Sequence, residues 1–426
     1  MRTREARELT PHDRHPLYGW LAAEGISLVG TRVSMVAVPF FVLTTTGSPE
    51  KTGLIALAEM LPLVVLKVLG GPVIDRVGAR RGAICCDVAS LAVVGAIPLL
   101  HRAGHLSFPA LLVLVALAGA LRGPGDSAKG AMIPSLAATA DVPLERVTGL
   151  SSTVERTASM LGAAIAGTLV ALIGPANALV VDAITFGASA LVLARAVPAR
   201  TKPVVDADAD PAPYAEQLRE GWRFLRGDRV LVGITVMVAL TNLIDLAWSA
   251  VLVPVWAIEH GGGAAAVGAL FATFAGASAV GSLVAAAYGE RLPRYATYLF
   301  CFLVTGLPRF VLMGLDTPLW AVLAYSVAGG AASGFLNPIL GAVIYERVPE
   351  HLLGRVSSLS SACCWALMPL GGLVGGFLVG GLGLGAAMLV CGAAYFVVTM
   401  LPAVDPRWRG INRQPDAEPV LATSTA

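Results

Sequence analysis

The sequence has little charge for its length: 14% of its 426 residues are charged, while 56% are hydrophobic. A water-soluble protein of this size needs more charge to cover its surface. Apolar runs of about 20 residues recur from one end to the other, and this length crosses a hydrocarbon core of roughly 30 Å. The composition therefore excludes a water-soluble globular protein and indicates a polytopic helical membrane protein.

Motifs for cofactor chemistry are also missing from the sequence. It has no Gly-x-x-x-x-Gly-Lys-Ser/Thr loop for ATP phosphates, and its six cysteines lie in apolar runs without zinc-site spacing. Its six histidines lie at span ends or in loops, and no nucleophile triad is visible. We expect no cofactor, no metal, no nucleic-acid partner and no enzymatic activity.

The positively charged residues are concentrated in alternate loops, and this distribution predicts the orientation of the chain in the membrane. With twelve spans and a cytoplasmic N-terminus, 22 of the 30 Lys and Arg residues fall in inside segments, six in spans, and only Lys51 and Arg102 outside. Both termini are then cytoplasmic in a multi-pass protein of the cell membrane. The mixed charges of the first 20 residues are untypical of a cleaved signal peptide, so we expect the first span to be retained.

The two halves of the chain repeat weakly. "RVTGLSSTVERTASMLGAAIAG" from Arg146 aligns with "RVSSLSSACCWALMPLGGLVGG" from Arg355, and two further blocks keep the same order. The alignment pairs Gly162 and Gly167 with Gly371 and Gly376, which we predict to pack helices. Such repeats enclose the midplane site of secondary transporters. The predicted fold is an all-α membrane protein with twelve transmembrane helices in two pseudo-symmetric six-helix halves.

Four segments follow from this organisation. Residues 1–197 form the N-terminal half, 198–229 a cytoplasmic linker, 230–404 the C-terminal half and 405–426 a cytoplasmic tail. The composition of the first part of the linker, rich in Pro and Asp, predicts disorder. In its second part, Leu218, Trp222 and Leu225 share one helical face, which predicts an amphipathic helix at the inner membrane surface.

The stretch "GGPVIDRVGARRG", Gly70 to Gly82, resembles the signature loop of the major facilitator superfamily. Arg122 stands where that family's antiporters keep a buried arginine. "LGAAIAG" is similar to their glycine-rich motif, although Ala163 replaces its proline. "TGSPEKTGL", "LRGPGD" and "VDAITFGASAL" resemble the actinobacterial drug-exporter-like branch.

The resemblance implies that this loop latches the two halves and must open during transport. The latch residues would be Gly71, Asp75, Arg76, Gly78, Arg80 and Arg81. The alternative is a loop whose arginines serve topology alone.

Ionisable groups at membrane depth are costly, so each is a functional candidate. Arg122 and Asp126 lie four apart on one helical face. They form either a proton-coupled pair, with Asp126 as the leading carrier, or a static anchor. Glu24 and Arg32 lie eight apart and are expected to face one cavity, with Asp126 or Asp245 as a partner for Arg32.

Other groups have less defined roles. Glu59 and Asp245 are candidates for carrying protons or contacting a cationic substrate. Asp87 and Asp182 are expected to face water near span ends, and Arg309 to extend outward to the interface. Candidate aromatic contacts for a hydrophobic substrate are Trp248, Trp256, Phe271, Phe274 and Trp365.

These observations predict a monomeric secondary transporter that exports small amphipathic molecules in exchange for protons by alternating access. The export direction comes from the family resemblance. Proton-coupled uptake of a metabolite, or a membrane scaffold or sensor that does not transport, are the alternatives.

Overall fold

The computed structural model describes residues 14–69, 74, 77–198, 214–260, 262–288 and 291–412. Within these ranges the chain is helical apart from short connections and forms no strand. The N-terminal half, called the N-half below, has these helices: α1 His15–Thr46, α2 Pro49–Leu69, α3 Ala79–Arg102, α4 Phe108–Ala131, α5 Ile133–Ala140, α6 Leu144–Ile173 and α7 Pro175–Ala196.

The linker contributes α8, Tyr214–Gly227. The C-terminal half, or C-half, has α9 Arg229–Ala247, a π-helical turn Trp248–Leu252, α10 Val253–Glu259, α11 Gly263–Tyr288, α12 Arg294–Thr305, α13 Leu307–Gly314, α14 Leu319–Arg347, α15 Glu350–Ala366, α16 Met368–Leu382 and α17 Leu384–Val404. A 3₁₀ turn, Pro406–Asn412, follows.

Eleven segments of the described chain are long and apolar enough to cross a membrane. They count α4 with α5, α9 with α10, α12 with α13, and the end of α15 with α16 as single spans. The helix α2 is 21 residues long and packs along α4 and α16, between these spans. The architecture is therefore an all-α membrane bundle, consistent with the predicted twelve helices.

The predicted packing glycines lie at pseudo-equivalent helix crossings. A Cβ at Gly162 would lie 2.9 Å from the Cβ of Arg32 on α1, and one at Gly371 would lie 2.2 Å from a carbonyl oxygen of α9. Gly167 and Gly376 instead meet helices of the opposite half, α11 and α2. In each half, the first glycine thus contacts the first helix of its own half, and the second contacts one helix of the other half.

The two ends of the bundle differ in how closely the halves approach. We call the end of the bundle at which α2, α7 and α17 end and α3 and α9 begin the linker face, and the other end the far face. In the far-face part of the bundle, a Cβ at Gly167 would lie 2.6 Å from Gly268 Cα, and one at Gly53 would lie 2.2 Å from Gly372 O. Backbone contact therefore closes the bundle toward the far face.

Toward the linker face, the halves meet through longer side chains. The guanidinium of Arg156 donates to Ser282 Oγ at 3.2 Å, and the ammonium of Lys67 lies 4.6 Å from the Trp365 ring. Contacts of this kind break and reform more easily than backbone crossings of packed glycines.

The linker helix α8 forms where the sequence predicts one, but its side chains Leu225 and Trp222 differ in burial. Leu225 is buried against Val348, Leu352 and Val356, so α8 docks on the C-half. Trp222, predicted to lie on the same helical face as Leu225, is 43% exposed and lies beside Arg226. The predicted disordered part of the linker lies outside the described residues.

Asp87 was expected to face water, and the structure shows that this expectation is wrong. Asp87 is 3% exposed because it lies two turns into α3, where Lys129 Nζ approaches Oδ1 at 3.0 Å. Ser189 Oγ donates to Oδ2 at 2.7 Å, and Trp20 Nε1 donates to the carbonyl of Lys129 at 3.1 Å. This buried pair ties α1, α3, α4 and α7 together near the linker face.

Gly167→Ala should lower the thermal midpoint in detergent, because its methyl group would meet the backbone of α11. Overpacking of this kind costs about 1–3 kcal/mol. Gly149→Ala, on the same helix, is the matched control because a Cβ there meets nothing within 4 Å. Since alanine favours helix over glycine by about 1 kcal/mol, the control should melt at or above the wild-type midpoint. Equal midpoints for the two variants would contradict the packing assignment.

Lys129→Met should destabilise the fold strongly, since it leaves the Asp87 carboxylate buried without its cation. Breaking a buried pair in this way costs about 3–5 kcal/mol. The double variant with Asp87→Leu should recover much of the loss, as read by thermal unfolding followed by circular dichroism. If the double variant is no more stable than the single one, the ion pair is not the source of the effect.

Candidate functional site

A cavity lies between the two halves, and we call it the central cavity. Its empty space, including the part open to solvent, is about 490 Å³. Its lining is mostly apolar and comes from α1, α2, α9 with the π-helical turn that follows it, and α11: Met35, Val38, Pro39, Ile55, Ala56, Met60, Leu246, Ala250 and Phe271, with Thr52, Ser249 and Glu59 as the polar members. An apolar chamber with one carboxylate suits an amphipathic ligand that carries a positive charge.

A second cavity lies inside the N-half, and we call it the N-half cavity. Its empty space among α1, α2, α3, α4 and α7, including the part open to solvent, is about 450 Å³. Its polar lining consists of Thr31, Ser34, Glu59, Ser90, Arg122 and Asp182. Glu59 and Val38 line both cavities, so these two residues stand in the wall between them.

Glu59 and Arg122 meet because α2 and α4 cross closely. A Cβ at Gly119 would lie 2.0 Å from the carbonyl oxygen of Glu59, so only glycine permits this approach. One turn further along α4, Arg122 Nη1 lies 3.5 Å from Glu59 Oε1. Arg122 Nε also lies 3.9 Å from Asp126 Oδ2, as the four-residue spacing predicted.

The two acidic partners of Arg122 differ in their surroundings. The Asp126 side chain is 39% exposed, against 19% for Glu59. Solvent screens an exposed pair more than a buried one. Glu59 is therefore the stronger electrostatic partner of Arg122 in this conformation, although sequence reasoning placed Asp126 first.

Asp182 was expected to face water, but it is 1% exposed in the wall of the N-half cavity. Ser34 Oγ donates to Asp182 Oδ2, and Thr185 Oγ1 lies 3.4 Å from Oδ1. Room for this arrangement comes from Gly30, where a Cβ would overlap Thr185 and Asp182. Asp182 lies two turns inside α7. Its place near a span end in the sequence therefore did not predict its burial.

Glu24 and Arg32 share a face of α1, as expected, but that face meets α6, and neither residue is among those that line the two cavities. Ser151 Oγ donates to Glu24 Oε2 at 3.2 Å, and Arg32 Nη2 donates to Ser159 Oγ at 2.7 Å. The partner of Arg32 is thus a hydroxyl group, not Asp126 or Asp245 as expected. Arg32 and Glu24 act in this conformation as contacts between α1 and α6.

The C-half holds its own buried arginine. Arg309 donates to Asp245 and lies 4.7–4.8 Å from the ring centres of Trp248, Phe310 and Tyr395. The expectation that Arg309 extends outward is wrong, because the span formed by α12 and α13 breaks at Gly306, and α13 turns Arg309 inward. The sequence "GLPRF" carried this signal as a helix break before the arginine.

Among the predicted aromatic residues, Phe271 lines the central cavity. Trp248 packs behind it, with the ring centres 5.7 Å apart. Trp256 is buried and stacks on His260, Trp365 lies under Lys67, and Phe274 packs through its backbone near Gly330. Of the five predicted aromatic residues, Phe271 lines the central cavity and Trp248 supports it from behind.

Three latch residues are described, while Gly71, Asp75 and Arg76 lie outside the described residues. Gly78 precedes α3 with φ of 89°, a conformation that favours glycine. Arg80 donates to the carbonyl oxygens of Val197 and Ala194 at 2.6 Å, so it holds the end of α7 within the N-half. Arg81 is exposed. The role of the loop as a latch between halves stays a prediction.

Comparison with known proteins agrees with this architecture. The family model of the Major Facilitator Superfamily matches residues 21–262 and 235–421. The multidrug efflux pump Tap of Mycobacterium tuberculosis is 31% identical over 411 residues, covering 95% of this chain and 97% of Tap. Macrolide efflux protein A of Streptococcus pyogenes is 21% identical, with 89% and 93% covered.

Among solved structures, the nucleoside transporter NupG matches with a TM-score of 0.72 at 13% identity, covering 91% of this chain and 98% of NupG. At that identity the likeness concerns the fold alone. The resemblance to actinobacterial drug exporters that the sequence motifs indicated is confirmed by the similarity to Tap. The helical bundle, its two cavities and these matches together show that the chain is a multi-pass membrane transporter belonging to the major facilitator superfamily.

Proposed function

We propose that this transporter exports small amphipathic molecules, with a preference for cations, in exchange for protons by alternating access. The observation that carries the proposal is the placement of Glu59, which lines an apolar cavity between the halves and also faces Arg122 in the N-half cavity. The relatives named as multidrug and macrolide efflux proteins support drug-like substrates and the outward direction.

The chemistry of the central cavity supports the substrate class. Its apolar lining favours the hydrophobic body of a ligand through burial of apolar surface. The Glu59 carboxylate attracts a cationic group, and this attraction is stronger in a water-poor cavity than in bulk solvent. Phe271, backed by Trp248, adds an aromatic face that also favours cations.

The orientation follows from charge. The linker face carries most Lys and Arg residues of the loops, so we place it and both termini in the cytoplasm. The bundle is closed by backbone contacts toward the far face, so this conformation faces inward. Substrates would enter from the cytoplasm, and export would require the glycine crossings at the far face to separate while the linker face closes.

Glu59→Gln should lower the export of a lipophilic cation by about tenfold or more, equivalent to about 1.4 kcal/mol of lost interaction. Export of a neutral amphipathic compound should change much less, because the apolar lining is kept. The measurement is ethidium efflux from cells that express each variant, with matched amounts of protein in the membrane. Glu259→Gln is the control, since Glu259 is exposed at the end of α10 near the far face. Equal loss for cationic and neutral compounds would speak against a charge-specific role.

Asp126→Asn should reduce proton-driven export less than Glu59→Gln, because Asp126 is the more exposed partner of Arg122. The test uses proteoliposomes that hold a pH gradient, to which lipophilic compounds are added one at a time. Compound-triggered collapse of the gradient should persist in Asp126→Asn at a reduced rate. Complete loss in this variant, with retention in Glu59→Gln, would reverse the ranking of the two carboxylates. Solute that accumulates together with protons would overturn export by antiport.

A further inference from the structure

We infer that the proton exchanged for a cationic substrate is held by Asp182, in the N-half cavity, and not by the carboxylate that meets the substrate. The inference rests on the proposed function and locates its proton. Substrate and proton would then occupy neighbouring but separate cavities, linked by Arg122.

The polar lining of the N-half cavity suits water and a proton. Its wall carries two carboxylates, Glu59 and Asp182, and one guanidinium, Arg122. Ser90 and Thr31 also line it and are 2% and 5% exposed. Polar groups that converge on a buried cavity favour bound water, through which a proton can move.

Glu59 closes this cavity off from the substrate. Glu59 is part of both linings, whereas Asp182 lines the N-half cavity and not the central cavity. A ligand bound between the halves would therefore contact Glu59 and not Asp182. Influence of the ligand on Asp182 has to pass through the shared cation, Arg122.

Charge balance determines where the proton resides. Arg122 neutralises one of the two carboxylates. A second deprotonated carboxylate without a cation is costly in free energy in the N-half cavity. Arg122 pairs with Glu59 at 3.5 Å, while Asp182 is held by hydroxyl groups of Ser34 and Thr185. In the absence of substrate, the second carboxylate that carries the proton is therefore Asp182.

Binding of a cation changes this balance. The positive charge of the ligand takes over the neutralisation of Glu59, so Arg122 is free to neutralise Asp182 instead. The carboxylic acid of Asp182 then loses its proton to water, leaving ligand with Glu59 and Arg122 with Asp182. One positive charge enters and one proton leaves, so the total charge of the site is unchanged.

Other charged groups on the surrounding helices are already engaged. On α1, Arg32 donates to Ser159 and Glu24 accepts from Ser151. On α3 and α4, Asp87 and Lys129 form a buried pair. On α4, Asp126 is the exposed second partner of Arg122, and it is the group whose removal the experiment has to control for.

The experiment measures protons released when tetraphenylphosphonium binds to the purified transporter in weakly buffered detergent solution. This probe carries a fixed charge and has no proton of its own to release. Tryptophan fluorescence reports binding, and a pH-indicator dye reports release. The variants are Asp182→Asn, Asp182→Glu, Glu59→Gln, Asp126→Asn and, as a control outside both cavities, Asp316→Asn.

The wild type and Asp316→Asn should release about one proton for each cation bound, as the charge balance requires. Asp182→Asn should bind the cation without release, with an affinity that no longer depends on pH. Asp182→Glu should restore release, and Asp126→Asn should keep it. Glu59→Gln should bind the cation at least about tenfold more weakly.

Proton release that persists in Asp182→Asn would overturn the inference while leaving proton-coupled export intact. Binding without release in the wild type would contradict proton exchange itself, and with it the proposed function. Release that needs sodium, or sodium displaced in place of a proton, would show that the N-half cavity holds a metal cation. Loss of binding in Asp182→Asn, with binding retained in Asp182→Glu, would make Asp182 part of the substrate site.

Discussion

The shortage of positive charge in the N-half cavity is the constraint on which the account depends. The Arg122 guanidinium lines this cavity together with two carboxylates, Glu59 and Asp182, and has Asp126 as a further partner on its own helix. A fully satisfied set of charges would anchor the helices permanently. In the proposed mechanism, a proton or a cationic ligand supplies the missing positive charge, and the two exchange at little cost in electrostatic free energy.

The helix packing keeps these charges in place while allowing the halves to move. Gly119 lets α4 lie against the backbone of Glu59, and Gly30 leaves room for Asp182, so the charged groups sit on rigid crossings within the N-half. Gly167 and Gly376 form the crossings between halves, near the far face. Motion between halves can therefore open or close the central cavity without dismantling the pairs inside the N-half.

Sequence reasoning predicted the fold well, because span length, loop charge and the internal repeat are local or additive signals. It also paired Arg122 with Asp126, since a four-residue spacing fixes a helical face. It could not find the contact between Arg122 and Glu59, which depends on how α2 crosses α4. It misjudged Asp87, Asp182 and Arg309, because burial two turns inside a helix, or after the break at Gly306, is set by neighbouring helices. Hydropathy alone does not contain that information.

Infrared difference spectroscopy on the wild-type transporter is the most direct test of the central claim, because it observes protonated carboxyl groups themselves. Spectra with and without a bound lipophilic cation, in light and heavy water, separate carboxylic acid from carboxylate. The account predicts that cation binding removes the band of one buried carboxylic acid and adds a carboxylate band. A carboxylic acid band that is unchanged by cation binding would show that no carboxyl group in the protein gives up a proton to the substrate.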